Sequence, residues 1–203
     1  MSGFENLIAV DKKLVKPAAI TAARAFRDDP ETVYSIPDEK KRENLRYAFE
    51  YFMSIYKFGN EEAYATSPEC EGVAVWVPSE HRMPFWAGLT ANPFPSLRCG
   101  WRFISHQVEA NRVAINIKKQ HAPARHMYLA LLAVDPVHQG KGFAGALLKP
   151  MLKRLDAERL PAYLETQNMK NVAMYEHFGF KLVHETSLFD GNYPIHAMLR
   201  EVA

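Results

Sequence analysis

Gln139-Gly140-Lys141-Gly142-Phe143-Ala144 is the stretch of this chain whose residue types and spacing are best suited to chemistry. Directly after it, Ala144, Leu147, Leu148, Met151, Leu152 and Leu155 recur at helical spacing, with Lys149, Lys153, Arg154 and Glu158 on the other side. The glycines therefore sit at a helix N-terminus. There the first N–H groups lack intrahelical partners and the macrodipole favours an anion. Gly140 and Gly142 also allow a close backbone approach. The amides from Gln139 to Ala144 are thus suited to hold a phosphate, and the stretch points to a coenzyme with a pyrophosphate.

Two coenzyme readings meet at this loop. Gly140-Lys141-Gly142-Phe143-Ala144-Gly145 is a literal G-x-G-x-x-G, and Glu165 ends the next strand-like run, about twenty residues on, where a dinucleotide fold keeps its ribose-binding acid. In that fingerprint, however, the first glycine follows its strand almost directly. Here Asp135-Pro136-Val137-His138-Gln139 intervene, and too few residues follow Glu165 for the further strand and helix units of a doubly wound sheet. An NAD(P)-binding oxidoreductase is therefore the weaker alternative.

The same residues, taken with their neighbours, resemble the GNAT superfamily of N-acetyltransferases. That family's pyrophosphate loop, Q/R-x-x-G-x-G/A after a fourth strand, matches Gln139-x-x-Gly142-x-Ala144, which follows Leu131-Leu132-Ala133-Val134-Asp135-Pro136. Downstream, Tyr163-Leu164-Glu165-Thr166 reads as the fifth strand. Asn168 through Phe180 then matches N-x-x-[AN]-x-x-x-Y-x-x-x-G-F, with Asn168, Asn171 and Tyr175 in place. The motifs are concentrated in residues 126–182 of what reads as one domain over 1–203. The resemblance implies an α/β (α+β) fold with a mixed, mostly antiparallel central sheet of about 6–7 strands flanked by helices, its fourth and fifth strands splayed apart.

It also implies acetyl-CoA as co-substrate, no metal, and transfer of an acetyl group by direct attack of a primary amine, that of a small molecule. The pantetheine arm would lie along Leu132, Ala133 and Val134, and the Val134 N–H would polarise the thioester carbonyl. Asn168, Asn171 and Tyr175 fall at i, i+3 and i+7, so a helix would place them on one face. Tyr175 is the expected general acid for the departing thiolate, and Asn168 the expected coenzyme contact, with Asn171 a possible local cap. The attacking amine must lose a proton. Glu165 is the first candidate for that base, with His126, His138, His196 and Glu71 behind it. A non-catalytic acyl-CoA sensor remains an alternative while the base is open.

The elements that must position these groups are legible in outline. Met127 to Val134 is an apolar run of strand length, as expected for a central strand covered on both faces, and Asp135-Pro136 stops it. Asn6 to Val10 reads as a first strand. A helix through Ile20, Ala23 and Phe26 ends at Asp28-Asp29-Pro30, and a second opens at Pro37-Asp38-Glu39 and stops at Gly59-Asn60. Ala63 to Thr66 and Gly72 to Val77 form a strand pair. Phe85 to Lys119 is mostly helical with a break at Asn92-Pro93-Phe94-Pro95, and its aromatics, from Phe85-Trp86 to Trp101-Arg102-Phe103, are a candidate acceptor wall. Lys181 to Thr186 and Ile195 to Leu199 close the sheet around Asp190-Gly191-Asn192. Pro150 inside the loop-bearing helix predicts a lost hydrogen bond and a kink.

Composition excludes some classes. A 203-residue chain with 48% hydrophobic content can bury a substantial core. Its net charge of +2 offers no strong field for nucleic acid or membrane. Two cysteines, Cys70 and Cys99, make neither a disulfide framework nor a metal spacing. No signal peptide or membrane-length apolar run is present, so the expectation is a cytoplasmic protein, monomeric or homodimeric, without nucleic-acid or membrane partners.

Overall fold

Alternation of apolar residues along the strands and the helical period between them set up layers around one sheet. The computed structural model describes residues 4–56, 62–80 and 93–202. Its elements are β1 (Ile8–Ala9), α1 (Val15–Phe26), α2 (Pro30–Ser35), α3 (Leu45–Tyr56), β2 (Glu62–Ala65), β3 (Gly72–Pro78), α4 (Trp101–His121), β4 (Met127–Val134), α5 (Phe143–Ala157), β5 (Ala162–Thr166), α6 (Met169–His177), β6 (Lys181–Leu188) and β7 (Tyr193–Arg200). Among the described residues the strands form a seven-stranded sheet in the order β1-β2-β3-β4-β5-β7-β6. Every neighbouring pair is antiparallel except β4 and β5, which run parallel. The helix stop expected at Gly59-Asn60 and the segment Phe85 to Asn92 lie outside the described residues.

Each face of the sheet has its own apolar layer. Leu147, Leu148, Met151, Leu152 and Leu155 of α5 pack on Ala74, Trp76, Leu129, Ala162 and Leu164. Burial at this level stabilises by about 1.5–3 kcal/mol per large side chain, so the α5 contact dominates the positioning of the loop at its start. On the opposite face Ala18, Ala19 and Ala22 let α1 approach Val73, Val75, Leu131 and Ala133 closely, and Ala110 and Ile117 of α4 cover Tyr163, Tyr193, Ile195 and Ala197. The expectation for β4, both faces covered, is met. Helix α5 continues through Pro150, which leaves the Ala146 carbonyl without the usual N–H four residues on.

Three local features differ from the sequence-based expectation. Asp29-Pro30 ends α1 but also starts α2, because proline at a first helical position costs no hydrogen bond. Pro37-Asp38-Glu39 opens a 3₁₀ turn, Glu39–Asn44, before α3 begins at Leu45. The third is a bulge in β4. Leu131 pairs with Val75 and Leu129 with Trp76, which leaves Ala130 as an extra residue. The facing of the side chains changes there: Leu129 packs with α5, whereas Leu131 and Ala133 pack with α1.

Candidate active site

Strands β4 and β5 part almost as soon as they meet. Their parallel register is confined to Met127 with Ala162 and Tyr128 with Tyr163, while β4 continues to Val134 and β5 to Thr166. The bulge at Ala130 lies just beyond the last pair and turns β4 away, leaving a V-shaped cleft with one backbone edge of β4 unpaired.

Backbone parity decides which groups face that cleft. The Asp135 N–H donates to Glu71 O across β3 at 2.8 Å, so Asp135 and Ala133 direct their polar backbone groups toward β3. Leu132 and Val134 direct theirs into the cleft. Of the three residues expected along a pantetheine arm, Leu132 and Val134 therefore have the right orientation. Ala133 does not; it belongs to the β3 ladder, and its methyl packs against α1.

The strand end is held by Asp135, which is buried, accepts from the Val137 N–H at 3.1 Å and pairs with Arg24 of α1 at 2.9 Å. Burial alone would push its carboxyl up, but Arg24 and the Val137 N–H more than offset this and hold it below the ordinary aspartate value. The chain then makes a short 3₁₀ turn, Pro136–His138, and reaches the loop. The Gln139 N–H is turned back to Pro136 O at 3.4 Å and its side chain donates to Val134 O at 3.2 Å, so the open amides begin at Gly140. Gly140 and Gly142 have φ of +76° and +88°, and a Cβ built on either meets nothing within 4 Å. They leave a solvent-facing cradle that side chains would fill, in a backbone conformation that favours glycine. Gly142 caps α5, whose ladder starts with Ala146 N–H to Gly142 O, so the N–H groups of Phe143, Ala144 and Gly145 precede it. The Lys141 ammonium folds back onto Val137 O at 2.9 Å. These features fit a pyrophosphate.

On the other arm of the V, Asn168 is the N-cap of α6 and lies just before the helix. Its Oδ1 accepts from the Lys170 N–H at 3.1 Å, and its Nδ2 donates to Asp29 at 2.9 Å. The residue expected to contact coenzyme is thus the cap, and the cap role considered for Asn171 belongs to it. Asn171 donates to Thr166 Oγ1 at 3.4 Å. Tyr175 is buried, with its ring edge-on to Phe180 at 5.7 Å. Burial, with a smaller contribution from Asp29, pushes its hydroxyl well above the ordinary tyrosine value.

Glu165 lies on the opposite face of the sheet from α5, with Tyr163 and the α4 layer. Burial raises its carboxyl above the ordinary value, while Tyr128, Lys118 and Tyr163 pull the other way. The other base candidates are placed less favourably. His126 Nδ1 is held against Pro123 O at 2.6 Å. The His138 ring lies edge-on to Phe143. His196 is buried with Nδ1 3.8 Å from Glu185. Glu71 accepts from Ser67 and Thr66, whose hydroxyls hold it low, as befits a turn carboxylate. Cys70 and Cys99 are free and buried, and burial pushes both thiols up to about 11, which removes them as nucleophiles. No group of three or more metal-ligating side chains occurs among the described residues.

Residues 109–180, from α4 through the whole cleft to the end of α6, match the Acetyltransferase (GNAT) family. Over 206 aligned residues the chain is also 27% identical to an uncharacterized N-acetyltransferase of Schizosaccharomyces pombe, covering 95% of this chain and 81% of that one. Residues 109–180 are thus similar to a GNAT acetyltransferase region, and the chain as a whole to an N-acetyltransferase. The chain is accordingly an acyltransferase, and the family's co-substrate is acetyl-CoA. Solved GNAT structures share its fold. A Corynebacterium glutamicum protein described as histone acetyltransferase HPA2 and related acetyltransferase superposes with a TM-score of 0.63 at 20% identity, covering 97% of this chain and 96% of that one. Arylalkylamine N-acetyltransferase 2 of Aedes aegypti superposes with a TM-score of 0.61 at 12% identity, covering 97% and 98%.

Sequence reasoning missed several residues of this cleft. Ala130 carries no sequence signal, since an alanine inside an apolar run reads as ordinary strand. Arg24 and Asp29 were also missed; they meet Asp135 and Asn168, 111 and 139 residues away. The Asp29-Pro30-Glu31 sequence signals a helix start and nothing more.

Proposed function

We propose that the protein transfers an acetyl group from acetyl-CoA to a primary amine of a small molecule, both bound together. The observation that carries this is the parting of β4 and β5 beyond Tyr128 and Tyr163, with the Gly140 to Ala144 cradle at the end of β4. When bound, acetyl-CoA supplies the activated acetyl thioester. The chain's part is to hold, orient and move protons. The cleft-facing backbone of Leu132 and Val134 pairs with the pantetheine arm as an added strand. The Val134 N–H donates to the thioester carbonyl, where negative charge develops. The amides of Gly140, Lys141, Gly142, Phe143 and Ala144 receive the pyrophosphate, and Gln139 fixes the strand end through Val134 O.

Tyr175 keeps its proton, because its hydroxyl is held well above the ordinary value. A thiol near pKa 8.5 is the stronger acid, so Tyr175 acts at the sulfur by donating a hydrogen bond rather than by giving up its proton outright. Glu165 accepts the proton of the attacking amine. Its raised carboxyl is better matched to that task than an ordinary glutamate. Asn171, on Thr166, and Asn168, on Asp29, fix the β5 arm of the cleft.

The test is a calorimetric titration with acetyl-CoA, with NADH as control, followed by thiol release across a panel of primary amines. Acetyl-CoA binding with release on an amine is the expected result. Binding of NADH in place of acetyl-CoA, or release only on alcohols, would overturn the reading.

A further inference from the structure

Helix α4 carries two apolar seams. Phe103, Ala110 and Ile117 point inward and are buried, Phe103 with Ile36 and Leu45, the other two on Tyr163, Tyr193, Ile195 and Ala197. Trp101, Val108 and Ile115 recur at the same seven-residue spacing two positions earlier, and two residues along a helix are a turn of about 200°. They lie on the outer side, 78, 66 and 47% exposed. The inner seam already joins α4 to the rest of the fold, so the outer one adds nothing to this chain's own core.

The 3₁₀ turn just before the helix, Phe94–Cys99, repeats the pattern in three-residue steps: Ser96 and Cys99 are buried, Phe94 and Leu97 exposed. Residues 94–115 thus hold five large apolar side chains left in solvent. The other five among the described residues, Ile8, Val33, Val137, Met169 and Leu182, stand singly on five separate elements, as stray surface apolars do.

Positive charge gathers along the same stretch. Residues 93–121 hold Arg98, Arg102, Arg112, Lys118 and Lys119 against one acid, Glu109, a net of +4 in a chain whose total is +2. The rest of the protein is therefore net negative, and the small overall charge conceals a basic side. Lys118 is turned over the Tyr128 ring. The other four cations are exposed, and Glu109 is paired with Arg112. Arg98 and Arg102 lie over the rings of Tyr47 and Tyr34, which cancel none of their charge. Arg112 follows Val108 by four residues and Lys119 follows Ile115 by four, so each cation stands one turn from an apolar group on the same side.

We propose that the outer side of α4, with the Phe94–Cys99 turn, is a docking surface for an anionic lipid bilayer. An exposed helix side of Trp, Val and Ile with Arg and Lys beside them suits such an interface: the apolar groups enter the acyl boundary and the cations meet the headgroups. A second copy of the chain fits less well, because two such sides would oppose their own cations. No helix among the described residues is long and apolar enough to cross a membrane, so the contact is peripheral. The docking surface does not rest on the acetyl transfer proposed above.

Co-sedimentation of the purified protein with vesicles tests the proposal, using phosphatidylcholine alone and phosphatidylcholine with about 30% phosphatidylserine, at about 0.15 M salt. The expected result is a partition coefficient at least about tenfold higher on the phosphatidylserine vesicles. Lys119→Gln is expected to lower it about fivefold, and Trp101→Ser and Val108→Ser each about tenfold. All three replace exposed side chains, so the variants should melt close to the unaltered protein, and lost binding is then not lost fold. Equal partition onto the two kinds of vesicle, or binding untouched by Trp101→Ser and Val108→Ser, overturns the proposal. So does a concentration-dependent dimer in sedimentation equilibrium that Val108→Asp abolishes, since a second copy then covers this side.

Discussion

The side of the cleft proposed for the coenzyme and the side proposed for the acceptor are built in opposite ways. From Met127 to His177 the first follows the chain without interruption, as strand, glycine loop, helix, strand and helix. It offers mostly backbone: the edge of β4 and the amides at the start of α5. The second is gathered from the α1–α2 turn, α4 and β5, and it offers side chains. Its hydrogen bonds join residues 139 apart, Asp29 with Asn168. A phosphate can be held by backbone geometry that local sequence dictates. An amine must be met by particular side chains, which chain segments far apart are free to vary.

That contrast can be broken by experiment. The largest effect is expected for Glu165→Gln, which should lower kcat by about 10²–10⁴-fold while leaving acetyl-CoA affinity intact, as pre-steady-state and calorimetric measurements will show. Its pH profile sharpens the point. Glu165 acts as a base only when deprotonated, and its raised pKa means kcat/KM falls, on acidification, at a higher pH than an ordinary glutamate would give. The Gln variant should lose that acid limb; a limb that persists assigns it to another group.

Next comes Gly142→Val, which strikes the coenzyme side alone. A β-branched residue at φ +88° is strained by about 1–3 kcal/mol, so acetyl-CoA affinity should fall by roughly ten- to hundredfold. Retained affinity in calorimetry would sink the loop assignment. Tyr175→Phe removes one hydrogen bond at the sulfur and should reduce kcat by about tenfold with unchanged acetyl-CoA binding. Turnover equal to that of the unaltered protein on a working amine would remove the role.

The smallest effect is expected where the two sides meet. Asn168→Ala deletes the α6 cap and the tether to Asp29, and should cost about 1 kcal/mol in a denaturant titration. The acceptor KM should rise more than the acetyl-CoA Kd. Equal changes in both would mean that the tether supports the cleft as a whole.

How much was legible follows the same division. The run Met127 to Val134, the Gln139 to Ala144 loop and the Asn168 to Tyr175 spacing each depend on neighbours in the chain, and their elements appear where periodicity and turn residues put them. A strand taken alone does not say which edge a partner occupies, so the sequence expectation sets Ala133 in the cleft; the Asp135 bond to Glu71 turns it to β3. Asn168 was read as a coenzyme contact, and its capping role emerged only once α6 had a boundary. The aromatic segment is divided: Phe85-Trp86 lies outside the described residues, while Trp101 is 78% exposed and Phe103 buried with Ile36 and Leu45.

By itself the sequence determined the strand, glycine loop and helix start proposed to hold the coenzyme, because a glycine at positive φ, a helix start and an apolar strand are properties of contiguous residues. Only the tertiary structure decided that β4 bulges at Ala130, that the α1–α2 turn reaches Asn168, and that the charge of Lys118 on α4 reaches Glu165. Those facts depend on register and packing between distant elements, where a shift of one residue turns a side chain to the other side of the sheet.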